Sequence, residues 1–320
     1  MILGHERQIG YLNRAMERGR MSHAYFFTGP AGVGKRTIAR AMAAALVCKN
    51  YRGPAAIGAS CGVCGDCALM EKSVHPQVIA LDLTHTLVSD EEKRTKIPIG
   101  DIRELRRLLA LASAGGRWRV AIIDGADIMS PDAADALLKI MEEPGENTLF
   151  FLIADARGMV RSTLVSRAVP VGFSPVSDGV LAPFIRAHFP AGDHAAVLAA
   201  SRGRPGMVIK MAQNRMLLAA EKKLVASAHR AVRGGIPEAL AFASEYGNEE
   251  GILSAAAALI QTLRPDMVGA HPAARLRAAI GIQVILDMTD ALRAYNVNPR
   301  MAMDAIAMEA VGASPDTLTK

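Results

Sequence analysis

The sequence predicts an α/β domain, in which a parallel sheet carries a phosphate-binding loop, followed by all-α structure. Three observations lead there. Gly29-Pro30-Ala31-Gly32-Val33-Gly34-Lys35-Arg36-Thr37 has the G-x-x-x-x-G-K spacing of a phosphate loop, with an apolar strand before it and an Ala-rich helix after it. Strand-like and helix-like segments alternate up to residue 172, the pattern of a parallel sheet covered on both faces. From Ser174 onward strand patterns vanish, and helical periodicity continues from Met211 to Ala310.

In chain order, the expected strands are Ala24–Phe27, Val78–Leu83, Val120–Asp124, Leu149–Ala154 and Val169–Val171. The helices expected among them are Gln8–Arg18, Thr37–Val47, Ile99–Leu111 and Pro131–Glu143. The last has Ser130 as N-cap, Pro131 at its first position and Pro144 as its stop. Asp90–Lys96 reads as a charge-rich, exposed connection. Further on, Pro175, Pro183, Pro190 and Pro205 punctuate short helical pieces, while Gly234-Gly235-Ile236-Pro237, Pro265 and Gly269–Pro272 mark turns. At 320 residues the chain is expected to form two or three domains.

The loop carries the first chemistry. Gly29, Gly32 and Gly34 let backbone N–H groups converge on phosphate oxygens, the following helix adds its positive end, and Lys35 neutralises terminal phosphates. A Ser or Thr hydroxyl should come next to hold Mg²⁺, but the residue is Arg36. Thr37 stays among the candidate ligands, although one step along a helix turns a side chain by about 100°. Arg119-Val120-Ala121-Ile122-Ile123-Asp124 reads as a buried strand ending in a carboxylate able to hold a metal. Hydrolysing ATPases of this type usually follow that Asp with a water-positioning Glu, and here Gly125 follows. Both losses fall on metal and water handling. A glycine turn without ligand and an ordinary strand terminus are the competing readings.

All four cysteines, Cys48, Cys61, Cys64 and Cys67, lie within residues 48–67. Three form C-x-x-C-x-x-C, whose turns, helped by Gly62 and Gly65, let several thiolates reach one ion, with Cys48 as the fourth. Four thiolates without His suit a closed, structural zinc site. Disulfides and an iron–sulfur cluster are the alternatives, the former disfavoured in a reducing compartment.

Composition bounds the rest. Hydrophobic residues make up 51% and aromatics 4%, so the core is aliphatic, as in helix-rich proteins. No run of about 18 apolar residues suggests a membrane span, and Met1–Glu6 lacks the order of a signal peptide, so a cytoplasmic location is expected. Net charge is +6, which permits contact with nucleic acid. Residues 201–233 hold eight Lys/Arg (Arg202, Arg204, Lys210, Arg215, Lys222, Lys223, Arg230, Arg233) against Glu221 alone. Such a stripe either tracks a phosphate backbone or forms a solvated helix face.

The order of motifs, together with Ala136-Leu137-Leu138-Lys139-Ile140-Met141-Glu142-Glu143-Pro144, Ser22–Gly29 and Asn296–Met303, resembles the bacterial DNA polymerase III clamp loaders of the AAA+ class, above all their delta prime branch. That resemblance implies an AAA+ domain with a zinc module over residues 1–172, a small helical lid over 173–212 and a helical collar for assembly over 213–320. It implies an arginine finger at Arg167, in Ser166-Arg167-Ala168, acting in trans on a neighbour's ATP. It places Met207 where a second sensor Arg belongs, and Ile153-Ala154-Asp155 where a first-sensor Thr or Asn belongs. The implied function is a stator-like subunit with negligible ATPase of its own and weak ATP or ADP binding. Implied partners are the motor (gamma/tau) and delta subunits, with the sliding clamp and primer–template DNA reached through the complex. The motor subunit itself, a P-loop kinase and a stand-alone DNA-binding protein are the rivals.

Overall fold

Five short apolar segments pair side by side: β1 (Ala24–Thr28), β2 (Val78–Leu81), β3 (Arg119–Asp124), β4 (Thr148–Ala154) and β5 (Val169–Gly172). The computed structural model describes residues 1–50, 56–85, 87, 95–111, 118–155, 160–248, 251–267, 272–294 and 297–313. Most of the Asp90–Lys96 connection and of the Gly269–Pro272 turn lies outside them. The sheet is parallel throughout, in the order β2-β3-β4-β1-β5.

Strands buried on both faces must be apolar at nearly every position, which is why β1, β3 and β4 read as near-continuous hydrophobic runs, whereas the edge strand β5 leaves Pro170 and Gly172 exposed. Alternate residues enter opposite cores. Ala24, Phe26, Ile123, Phe150 and Leu152 pack with Ile102, Leu105 and Leu137, from α4 (Ile99–Leu111) and α5 (Pro131–Glu142). Tyr25, Phe27, Ile122, Leu149 and Phe151 pack with Leu12, Ile38 and Met42, from α1 (Glu6–Glu17) and α2 (Lys35–Val47). The Ser130 hydroxyl accepts from the Ala133 N–H, 3.2 Å away, and Pro131 opens α5 as expected.

Several boundaries differ, each for a local reason. Strand β2 stops at Leu81 because Asp82 turns the chain, its carboxylate accepting the N–H groups of Thr84 and His85, both at 2.7 Å. Helix α2 starts at Lys35 rather than Thr37, directly on Gly34. Gly65 is not a turn residue; it opens α3 (Gly65–Glu71), which Cys64 caps, and α6 (Ser162–Val165) is a further short helix. Pro183 does not interrupt a helix but lies inside α7 (Asp178–His188).

Two compact units result: Met1–Pro190 with Ser201–Ile209, and Ala191–Ala200 with Lys210–Lys320. α8 (His194–Ser201) and α9 (Pro205–Gln213) run across these boundaries. The second unit gathers α10 (Arg215–Gly234), α11 (Ile236–Tyr246), α12 (Ile252–Leu263), α13 (Pro272–Ala294) and α14 (Pro299–Gly312). Their core includes Leu224, Phe242, Leu259, Ile285 and Ile306. No helix among the described residues is long and apolar enough to cross a membrane.

Candidate nucleotide-type site and cysteine centre

Parallel pairing brings the C-terminal ends of all strands to one edge, and there β1 runs into the glycine loop. Gly29 has φ +141°, and a Cβ on it would lie 2.1 Å from the Phe173 carbonyl oxygen, so only glycine fits. Gly32 and Gly34 also have positive φ, and Gly34 is the N-cap of α2. The loop lines a cleft of about 430 Å³ with Lys35, Arg36, Thr37, Asp124 and Asp155.

Lys35 is only 5% exposed and its ammonium is fully engaged by its own chain. It donates to the carbonyls of Gly29 and Pro30 and, at 2.9 Å, to Asp155. An ammonium has three donors, so all are used. Asp155 is half-exposed, so the one side-chain partner of Lys35 faces the cleft. His5, which sequence reasoning passed over, buttresses the loop: its Nε2 lies 2.9 Å from the Val33 carbonyl, and its ring packs edge-on against Phe173.

The metal seat of such a loop does not fit a divalent ion here. The Arg36 guanidinium pairs with Asp82 and stands 3.6 Å from Asp124. Burial works to raise the Asp82 carboxyl, but the Thr84 hydroxyl, Arg36 and the His85 and Thr84 N–H groups together hold it well below the usual carboxylate range. Burial pushes the Asp124 carboxyl up, with Arg36 and Lys35 pulling the other way. Asp82 had no motif to reveal it; its role follows from the end of β2 lying beside β3.

Gly125 has φ +117°, and a Cβ there would come within 2.9 Å of Ile128 Cγ1 and Cδ1. The missing acid is therefore excluded by backbone shape. Met207 lies against the loop: a Cβ on Gly32 would meet its Cγ at 3.5 Å, and the Gly206 N–H donates to the Gly32 carbonyl at 2.8 Å.

Cys48 follows α2, Cys61 and Cys64 precede α3, and Cys67 lies within it. Their four sulfurs lie within 4.8 Å of one another and can hold one ion. Thiolates about 2.3 Å from a zinc ion stand about 3.8 Å apart across a tetrahedron. Here Cys48–Cys64 is 3.9 Å, Cys61–Cys67 is 3.8 Å and Cys67–Cys48 is 3.6 Å. All four cysteines are free. Backbone N–H groups of Cys61, Cys64 and Cys67 point at the sulfurs of Cys48, Cys61 and Cys64, each at 3.4 Å. Such donors favour thiolate: the Cys67 N–H leads in bringing Cys64 down to about 6, and the Val63 N–H leads in lowering Cys61. Burial pushes Cys67 up to about 12.

Arg167 lies elsewhere. It precedes β5, and Val169 pairs with Tyr25 while Gly172 pairs with Thr28, so Arg167 is at the sheet edge opposite the loop. A strand of four residues spans about 13 Å. Arg167 is half-buried and donates to Glu142 at 2.7 Å and to the Thr163 carbonyl at 3.2 Å. The basic 201–233 run falls partly in the first unit and partly in the second, dividing at residues 209 and 210. Within the second unit Lys222 pairs with Asp193 and Lys223 with Glu245.

A family model described as "DNA polymerase III, delta subunit" matches residues 4–177, over half of the chain. The DNA polymerase III subunit delta′ of Pseudomonas aeruginosa is 37% identical over 152 residues, covering 48% of this chain and 43% of that protein. The DNA polymerase III subunit tau of Escherichia coli is 33% identical over 168 residues, covering 52% of this chain and 24% of that one. The matched region thus spans less than half the length of these curated relatives. The Thermotoga maritima RuvB Holliday junction branch migration motor superposes with a TM-score of 0.50 at 16% identity, over 84% of this chain and 90% of that one, a likeness of fold.

Proposed function

Because this chain belongs to the DNA polymerase III delta-subunit family, we propose that it is a clamp-loader subunit of the delta prime type, a stator that does not hydrolyse ATP itself. One observation carries this reading: the cleft of its own phosphate loop lacks the metal hydroxyl and the water-positioning acid, while Arg167 stands partly exposed at the opposite sheet edge. An arginine so placed cannot serve its own loop, but it is free to enter a neighbour's. Glu142 is exposed and Arg167 partly so, and the pair between them costs little to exchange for a phosphate.

The partners are then motor subunits of the gamma/tau type, a delta subunit and, through the complex, the sliding clamp and primer–template DNA. Residues 173–212 serve as lid and 213–320 as collar. On the collar, Leu276 and Ile280 of α13 are 62% and 52% exposed, and Met301 of α14 is 69% exposed, as befits helices that pack on other subunits. Zinc in the four-cysteine centre, held by Cys48, Cys61, Cys64 and Cys67, would clamp the loop after α2 to α3, where little core exists to do so.

Tau-type relatives keep the motor reading as the runner-up, and Arg36, Gly125 and Met207 weigh against it. The test is ATP turnover by the isolated chain together with its assembly with motor and delta-type subunits. Assembly without turnover is expected. Lys35-dependent turnover by the chain alone would promote the motor reading, and failure to assemble would overturn the loader reading.

A further inference from the structure

The misfit of the metal seat is built from several groups. Arg36 occupies the position that should offer a hydroxyl, and its guanidinium pairs with Asp82 while standing 3.6 Å from Asp124. Asp82 is itself fixed, accepting from the Thr84 hydroxyl and the N–H groups of Thr84 and His85, each at 2.7 Å. The cation is therefore tethered to the ends of β2 and β3, next to the carboxylate a divalent ion would need. Lys35, one residue earlier, has the half-exposed Asp155 as its side-chain partner beside the Gly29 and Pro30 carbonyls.

We propose that Arg36 is a resident cation in the metal seat, so that the loop takes a nucleoside polyphosphate as the free anion and rejects its Mg²⁺ chelate. An entering phosphate replaces Asp155 on Lys35 and meets Arg36 and the amides of Gly32 and Gly34, which open α2. A chelated ion would have to share Asp124 with a guanidinium and would be repelled by it. Arg36 thus sets the form of ligand the loop accepts. The inference rests on reading 29–37 as a phosphate loop and is independent of the subunit's place in a loader.

The experiment titrates the full chain with a fluorescent ADP, in EDTA and in excess MgCl₂. Binding should be at least about tenfold tighter in EDTA, since Mg²⁺ adds like charge at the seat. Arg36→Ser supplies the missing hydroxyl, frees Asp82 and Asp124, and should reverse that order; the wild-type comparison stands even if this variant folds poorly. Tighter wild-type binding in Mg²⁺, no binding in either buffer, or an unchanged order in a folded Arg36→Ser each overturns the proposal. Lys35→Ala separates the layers. If Mg²⁺ tightens binding and Lys35→Ala abolishes it, the phosphate-loop reading survives alone; if Lys35→Ala binds like the wild type, that reading falls as well.

Discussion

Gly125 invites the substitution Gly125→Glu, which restores the acid of an active ATPase by sequence, and the structure predicts that it fails. The residue has φ +117°, outside the wells open to L side chains, and holding another residue there costs about 1–3 kcal/mol. Its Cβ would stand 2.9 Å from two Ile128 atoms and 3.6 Å from Ile97 Cδ1, overpacking worth about 1–3 kcal/mol more. The sum is about 2–6 kcal/mol. Both terms belong to the Cβ, so Gly125→Ala should lose nearly as much as Gly125→Glu. Trp118, the chain's one tryptophan, is half-buried directly before β3 and reports on this unit. Urea unfolding followed by its fluorescence gives the loss for each variant. If Gly125→Glu is within about 0.5 kcal/mol of the unmodified chain, or gains Lys35-dependent hydrolysis, the argument from backbone shape is refuted.

Other outcomes follow from the same geometry. Elemental analysis of protein prepared without added zinc should find one zinc per chain, and Cys67→Ser should lose it and melt at lower temperature; iron, or two disulfides, would contradict the assignment. Asp82 is held below the ordinary carboxylate range, so its contribution is full above that range and is lost as pH falls through the lowered value. The stability difference between the unmodified chain and Asp82→Asn should therefore be constant from about pH 5 to 7 and shrink below about pH 4, and a difference that grows in acid would reverse the sign of the argument.

Much of this was legible in the residues. The strands announce themselves because a sheet covered on both faces leaves no polar side. The glycine loop and the cysteine spacing are local patterns: Gly29 meets the Phe173 carbonyl too closely for a Cβ, and the sulfurs of Cys48, Cys61, Cys64 and Cys67 lie together. What the sequence hid was non-local. Asp82 reaches Arg36 across 46 positions, and Asp155 reaches Lys35 across 120, through the neighbouring ends of parallel strands. Spacing along one chain segment cannot show such a meeting. Gly125 reads as a lost acid in the sequence, and only its φ reveals that the backbone demands the glycine. In the basic 201–233 run, Lys222 and Lys223 meet Asp193 and Glu245, partners 29 and 22 positions away that spacing does not announce.

The central claim is that this chain gives an arginine to a neighbour's nucleotide rather than using its own. The most direct measurement is the DNA- and clamp-stimulated ATPase of a reconstituted loader carrying Arg167→Ala, with assembly followed alongside. The partly exposed pair with Glu142 is worth under about 1 kcal/mol, so folding and assembly should be unchanged. An arginine in trans contributes about 10³–10⁵ in rate at its own site, and loss of one site among several should lower the total rate measurably. Arg167→Lys should rescue poorly, lacking the planar fork. An Arg167→Ala loader that assembles fully and hydrolyses ATP at the unmodified rate would contradict the account.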